Sequence, residues 1–206
     1  MTIRLHRGDL PDLSHYQGRP AVAVDTETMG LDPNRDRLCV VQLSPGDGSA
    51  DVVQIAAGAS EAPNLTKLLA DGTILKIFHF ARFDLGVLSK RLGVMPGPIY
   101  CTKIASRIAR TYTDKHGLKD LVREVLGIDL SKQQQLSDWG AEALSDAQVV
   151  YAASDVLHLH ALKDKLDAIL VREGRAELAA ACFRFLPDRV RLDLAGWEAE
   201  DIFAHS

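Results

Sequence analysis

Cysteine is scarce: only Cys39, Cys101 and Cys182 occur, far apart and each in apolar surroundings. Such spacing builds neither a disulfide framework nor a zinc site, so the three read as reduced core residues. No apolar run approaches the ~18 residues that a bilayer span requires. The opening stretch MTIRLHRGDLPDL lacks the apolar core of a signal peptide, and a cytoplasmic protein with no membrane partner is expected. Internal repeats, low-complexity tracts and an obvious linker are missing, as is the glycine-rich P-loop of nucleotide-driven chemistry. A positive surplus is missing too: 24 Lys and Arg stand against 28 Asp and Glu, a net charge of −4. That balance argues against a strong grip on a long polyanion, but a short one offers few phosphates to hold.

What is present suffices for one core. The chain has 206 residues, 47% of them hydrophobic, and one domain over 1–206 is the expectation. Pro20 leads into the apolar run Ala21–Val24, of the length of a buried central strand. After the breakers Gly30, Asp32, Pro33 and Asn34, the β-rich stretches Arg37–Ser44 and Ala50–Ile55 flank a turn and read as a hairpin. Pro63–Ala70 predicts a short helix, Ile74–His79 a strand and Phe83–Leu92 a helix. From Cys101 onward the spacing predicts mostly helix, with Gly127 stopping one of them. Ser145–Leu170 predicts one long amphipathic helix, with Ser145 as N-cap and Gln148 in the place of the usual capping-box Glu. Strands first and helices later suggest an α/β layered domain with a mixed sheet.

Three stretches carry chemistry. In Val24-Asp25-Thr26-Glu27, a buried strand ends in two acids that share a face because strand side chains alternate. Alone, that pattern is also a solvated strand end; the apolar run before it calls for a counter-charge, and a metal supplies one. Asp84 follows a strand and opens a helix, where it either joins the acids or only favours the helix N-terminus. Tyr151 and Asp155 lie one turn apart on one face of a helix, with Asp155 in an apolar stretch. Together they give four carboxylates and a phenol. Such a set can bind two Mg²⁺ or Mn²⁺ ions ~4 Å apart for in-line displacement at phosphorus, with the phenol holding the attacking water.

At these places the chain resembles the DEDDy 3′→5′ exonucleases, the ribonuclease D-like group. VDTET, FHFARFDLGVL and YAASDVLHLHAL match its motifs in order, over about Ala21 to Leu170. The resemblance implies an RNase H-like (DnaQ-like exonuclease) fold, with Asp25, Glu27, Asp84 and Asp155 as metal ligands and Tyr151 orienting the water. DRLCVVQLSPGDG, KIFHFARFDL, CTKIASRIARTYTDKHGLK, SKQQQLSDW and DIFAHS further resemble a short alphaproteobacterial branch, nano-RNase C. That likeness implies cleavage of 5′-phosphorylated RNA dinucleotides to 5′-mononucleotides by a ring-shaped homo-oligomer, an octamer. Full-length ribonuclease D carries further C-terminal helical domains; the chain ends too soon after its last motif for them, which favours short substrates over tRNA maturation. A broader exonuclease on single-stranded RNA or DNA uses the same chemistry. An inactive nucleic-acid-binding module is the third reading, and the intact acid set with Tyr151 speaks against it.

Substrate contacts are expected around the acids: at Thr26, at Met29, Gly30 and Leu31, and at His79 and Phe83. Leu31 could wedge against terminal bases, Gly30 could let backbone approach the substrate, and Phe83 could stack on a base or pack in the core. Gln135 and Trp139 belong to a polar loop able to hold phosphate and sugar, or to a plain solvated connection with Trp139 tucked inward. Arg107, Arg110, Lys115 and His116 form a basic cluster, read first as a solvated helix end and otherwise as a 5′-phosphate cap or subunit contact. The segment 171–206 packs on the body or on a neighbouring subunit, through Trp197, Ile202 and Phe203 in the tail.

Overall fold

The run Ala21–Val24 becomes the middle of a six-stranded mixed sheet. The computed structural model describes residues 2–59, 61–131, 133–134 and 136–205. The strands are β1 (Thr2–Arg7), β2 (Ala21–Thr28), β3 (Leu38–Ser44), β4 (Ser49–Gln54), β5 (Leu75–Phe78) and β6 (Ile99–Cys101). They lie in the order β1-β4-β3-β2-β5-β6. β2, β3 and β4 form an antiparallel meander, and β5 and β6 add in parallel on the other side of β2. Without β1, the sheet reads third-second-first-fourth-fifth in chain order, the RNase H-like arrangement. The predicted hairpin is β3–β4, and both strands are buried throughout, as a sheet covered on two faces demands.

Helices cover the sheet: α1 (Pro63–Ala70), α2 (Ala81–Leu92), α3 (Thr102–Ala109), α4 (Leu118–Leu126), α5 (Asp146–Leu157), α6 (Leu159–Arg172) and α7 (Ala176–Leu192). α5 packs on β2, β3 and β4, whereas α6 packs on α3 and α4. Gly127 ends α4 in the left-handed region at φ 72°, as its place in the sequence predicts. Ser145 and Gln148 close a reciprocal capping box at the start of α5.

Three expectations need correction. The single helix over Ser145–Leu170 is two helices, broken at His158 (φ −102°, ψ −5°). No Gly or Pro marks the break, and the apolar spacing continues across it because both helices bury their inner faces. β1 was not foreseen, because its inward side chains are Arg4 and His6 rather than apolar groups. Their partner is Asp51 of β4, 1% exposed, which receives Arg4 Nε at 2.7 Å, Arg4 Nη2 at 2.8 Å and the Tyr16 hydroxyl at 2.6 Å, with His6 Nε2 2.7 Å away. Ile3 and Leu5 do alternate with Arg4 and His6, but it is the polar side of that alternation, through this paired ion network, that ties β1 to β4. The third concerns the basic cluster. Arg110 is fully buried, donating to Ser106 Oγ and Lys115 O at 3.0 Å and pairing with Glu124, while His116 Nδ1 lies 2.9 Å from Ser106 Oγ. Arg110 and His116 are therefore structural, not a solvated helix end.

Cys39 and Cys101 are buried and Cys182 is half-buried, all free. Among the described residues no helix is long and apolar enough to cross a membrane.

Candidate active site

β2 pairs with β5 only from Ala21 to Ala23, and beyond that point the two parallel strands part. β5 then leads through His79 and Phe80 into α2. The crevice where parallel strands diverge at their C-terminal ends is where α/β sheets place their ligands. Asp25 and Glu27 stand there on one face of β2, with a register irregularity between Glu27 and Thr28. α5 lies over the same face and brings Asp155 in. Carboxylate oxygens of Asp25, Glu27 and Asp155 lie within 4.8 Å of one another.

Asp84, in the first turn of α2, is outside that trio. It is 2% exposed and accepts a 2.7 Å hydrogen bond from the Thr26 hydroxyl, which points to the opposite face of β2. Its charge still acts on Glu27, and the charge of Asp25 acts on it. Tyr151 sits half-buried one turn before Asp155, its ring 6.0 Å from that of Trp139.

Burial and mutual repulsion dominate the electrostatics. Burial pushes the Asp25 carboxyl up to about 7. Glu27 rises to about 10 through burial and then through Asp25, Asp155 and Asp84. Asp155 rises to about 8 through burial and Asp25, partly offset by Tyr151. Asp84 lies well above the usual range through burial and Asp25. The Tyr151 phenol is raised by burial and by Asp155, Glu27 and Asp25, so it keeps its proton at neutral pH. Four carboxyls in one desolvated crevice cannot all ionise without a counter-charge. Their all-oxygen donor set fits hard divalent cations. A further polar group waits beside them. Gln42 of β3 is opposite Asp25 in register, fully buried, and neither amide atom has a hydrogen-bond partner among the described residues. A lone Gln inside the apolar run LCVVQLS was the available signal for it, and sequence reasoning passed it over.

The other expected residues separate into three groups. Met29 and Leu31, just past Glu27 in the chain, are 53% and 85% exposed. Leu31 shares a cavity of about 410 Å³ with Phe80 and Phe83. Phe83 also packs partly into the core. Phe80 was not foreseen: it is 45% exposed and holds φ 70°, a backbone state rare outside glycine, and no sequence signal marks it. The second group is turned inward. The Thr26 side chain is spent on Asp84, because strand alternation points it away from Asp25 and Glu27. Trp139 is 4% exposed in the core, the bland reading of its loop. His79 lies 2.9 Å from Thr102 Oγ1, and burial with nearby Lys103 lowers it to about 3, so it is neutral at physiological pH. At Gly30 a Cβ would collide with the Asp36 carboxylate, so this glycine serves loop packing. Gln135 lies outside the described residues.

A crevice-borne acid cluster on a central strand of an RNase H-like sheet, completed from a late helix, defines the class of metal-dependent 3′→5′ exonucleases. The 3′-5′ exonuclease family profile matches residues 12–171, and the chain belongs to that family. The solved structure of Brucella melitensis NrnC with bound Mg²⁺ is similar over 100% of both chains, at 62% identity and a TM-score of 0.96. The same protein bound to pGG matches at 63% identity and a TM-score of 0.97, again over 100% of both chains. Ribonuclease D of Gluconacetobacter diazotrophicus is 37% identical over 169 residues, covering 82% of this chain and 42% of that protein. The chain thus spans about two fifths of the length of the curated relatives it matches. Escherichia coli RNase D, an exoribonuclease involved in structured RNA processing, shares the fold at a TM-score of 0.74 and 27% identity, over 84% of this chain and 45% of that one.

Proposed function

We propose that this chain is a two-metal-ion 3′→5′ exoribonuclease that hydrolyses short RNA, best of all 5′-phosphorylated dinucleotides, to 5′-mononucleotides. The observation that carries this reading is the convergence of Asp25, Glu27 and Asp155 in one crevice, with Tyr151 one turn from Asp155. Asp25, Glu27, Asp84 and Asp155 are the residues to hold two Mg²⁺ or Mn²⁺ ions, which when bound activate water and stabilise a leaving oxygen. The Tyr151 phenol, kept protonated, hydrogen-bonds the attacking water and holds it in line. Leu31 and Met29 meet the bases at the mouth, with Phe80 and Phe83 lining the adjoining cavity. Thr26 and Gly30 contribute backbone, and Trp139 acts from behind Tyr151. Gln135 and His79 complete the expected contacts, His79 as a neutral donor or acceptor.

Support for the substrate class comes from the pGG-bound Brucella melitensis protein, alike over the whole chain. The net charge of −4 agrees with a ligand of few phosphates. A ring-shaped homo-octamer accompanies this reading, and the exposed Trp197, Ile202 and Phe203 are apolar groups suited to subunit contact. The test is to incubate the purified chain with pGpG in Mn²⁺ and in EDTA and to resolve the products. Release of 5′-GMP that stops in EDTA supports the proposal; an intact dinucleotide in both refutes it.

A further inference from the structure

Residues 138–142 have no regular structure, yet side chains from three separate elements hold their backbone. Gln148 Nε2, in the first turn of α5, donates to Asp138 O at 3.0 Å. Arg37 Nη2, just before β3, donates to Gly140 O at 2.9 Å, while its Nη1 donates to Ile55 O at 3.2 Å. Gln54 Nε2, at the end of β4, donates to Ala141 O at 2.9 Å and to Glu142 O at 3.3 Å. Four carbonyls in five residues are thereby tied to the sheet and to α5.

This loop touches two residues close in sequence to the acids, Tyr151 and Met29. Trp139 turns inward and lies against Tyr151, ring centroids 6.0 Å apart. Gly140 packs on the Met29 sulfur so closely that a Cβ would overlap it. The Trp139 indole N–H is buried without a partner among the described residues, so no hydrogen bond to any of them orients the ring. Its orientation comes from the loop backbone, and the backbone is set by the clamp.

We propose that Arg37, Gln54 and Gln148 are positioning residues for hydrolysis, holding Trp139 as a backstop that fixes the Tyr151 ring. The proposal rests on Tyr151 orienting the attacking water. An ångström of displacement at such a group costs on the order of a hundredfold in rate.

The test uses full-length chain carrying Trp197→Phe, which leaves Trp139 as the only indole of the two in the sequence. Arg37→Ala and Gln54→Met are compared with this parent for dinucleotide cleavage and Trp139 emission. The expected result is a kcat lowered roughly tenfold or more with KM within about twofold, and emission shifted to the red. Arg37→Lys, which keeps one donor for Gly140 O, recovers part of the kcat. Gln54→Met preserves length and bulk, and so keeps the question open to refutation if Arg37→Ala does not fold. Variants whose kcat and emission match an active parent overturn the proposal alone, as does a raised KM with kcat intact. An unsubstituted chain that cleaves nothing overturns the hydrolase reading and the proposal with it.

Discussion

Replacing Asp155 by Asn removes one negative charge from a cluster whose carboxylate oxygens lie within 4.8 Å of one another, at almost no change in shape. At that separation, two ionised carboxylates repel by about 3.5 kcal/mol at an effective dielectric of ~20. The carboxyls relieve this by holding protons: burial raises Asp25 to about 7, and burial together with repulsion from neighbouring carboxylates raises Asp155 to about 8 and Glu27 to about 10. A carboxyl whose folded pKa is raised gives stability that is fully present below its unfolded value and lost as pH rises through the folded one. In EDTA the chain should therefore lose stability steadily from about pH 4 to the folded values near 7–10. Asp155 is half-buried, so the full pair energy is discounted for solvent, leaving about 2 kcal/mol of relief on substitution. For a chain of this size that is a rise of about 4–8 °C in Tm. Divalent metal acts the other way: Mn²⁺ at ~100 times its Kd adds about 2.7 kcal/mol to the parent, and less to a variant that has lost a ligand, so the gap between them narrows. Thermal unfolding at pH 8, in EDTA and in Mn²⁺, reads both effects. An Asp155→Asn chain less stable than the parent in EDTA, or one that gains as much from Mn²⁺, would refute the reasoning.

Asp25→Ala should abolish turnover while circular dichroism stays that of the parent; near-normal cleavage by this variant sinks the site assignment. Tyr151→Phe should lower kcat by roughly ten- to a hundredfold with little change in KM, and a pure KM effect in steady-state kinetics would contradict its role. Away from the site, burial alone would raise Asp51, yet Arg4, Tyr16 and His6 hold it at about 2. Its stabilisation is present above the ordinary 3.8 and lost as pH falls through about 2. Asp51→Asn should cost roughly 3 kcal/mol in urea unfolding and leave kcat unchanged well below the melting temperature.

Much of the site was legible because its chemistry is local in sequence. Asp25 and Glu27 sit at the end of an apolar run, and Tyr151 and Asp155 lie one helical turn apart. Strand alternation and helical spacing suffice to orient such pairs. The same alternation carried an unused warning about Thr26, which had to face away from its neighbours and does. What stayed hidden depends on residues distant in sequence. β1 is held by an ion network across to Asp51, and the placing of Gln42 opposite Asp25 exists only once β2 and β3 are in register. Nor does periodicity see a break such as His158, since inner faces on both sides of it remain apolar. The loop of Gln135 and Trp139 was read for its polar side chains, but the structural weight of the stretch that follows lies in the carbonyls of 138–142, which sequence does not display.

The central claim is metal-dependent hydrolysis with a preference for the shortest RNA. It is tested most directly by giving the protein a 5′-labelled RNA dinucleotide and a 5′-labelled twenty-mer in one tube, with Mn²⁺ and then with EDTA. Rapid loss of the dinucleotide in Mn²⁺ alone, with the twenty-mer barely touched, is the predicted result. Equal stepwise shortening of both would contradict the short-substrate claim, and no cleavage of either would contradict the enzyme itself.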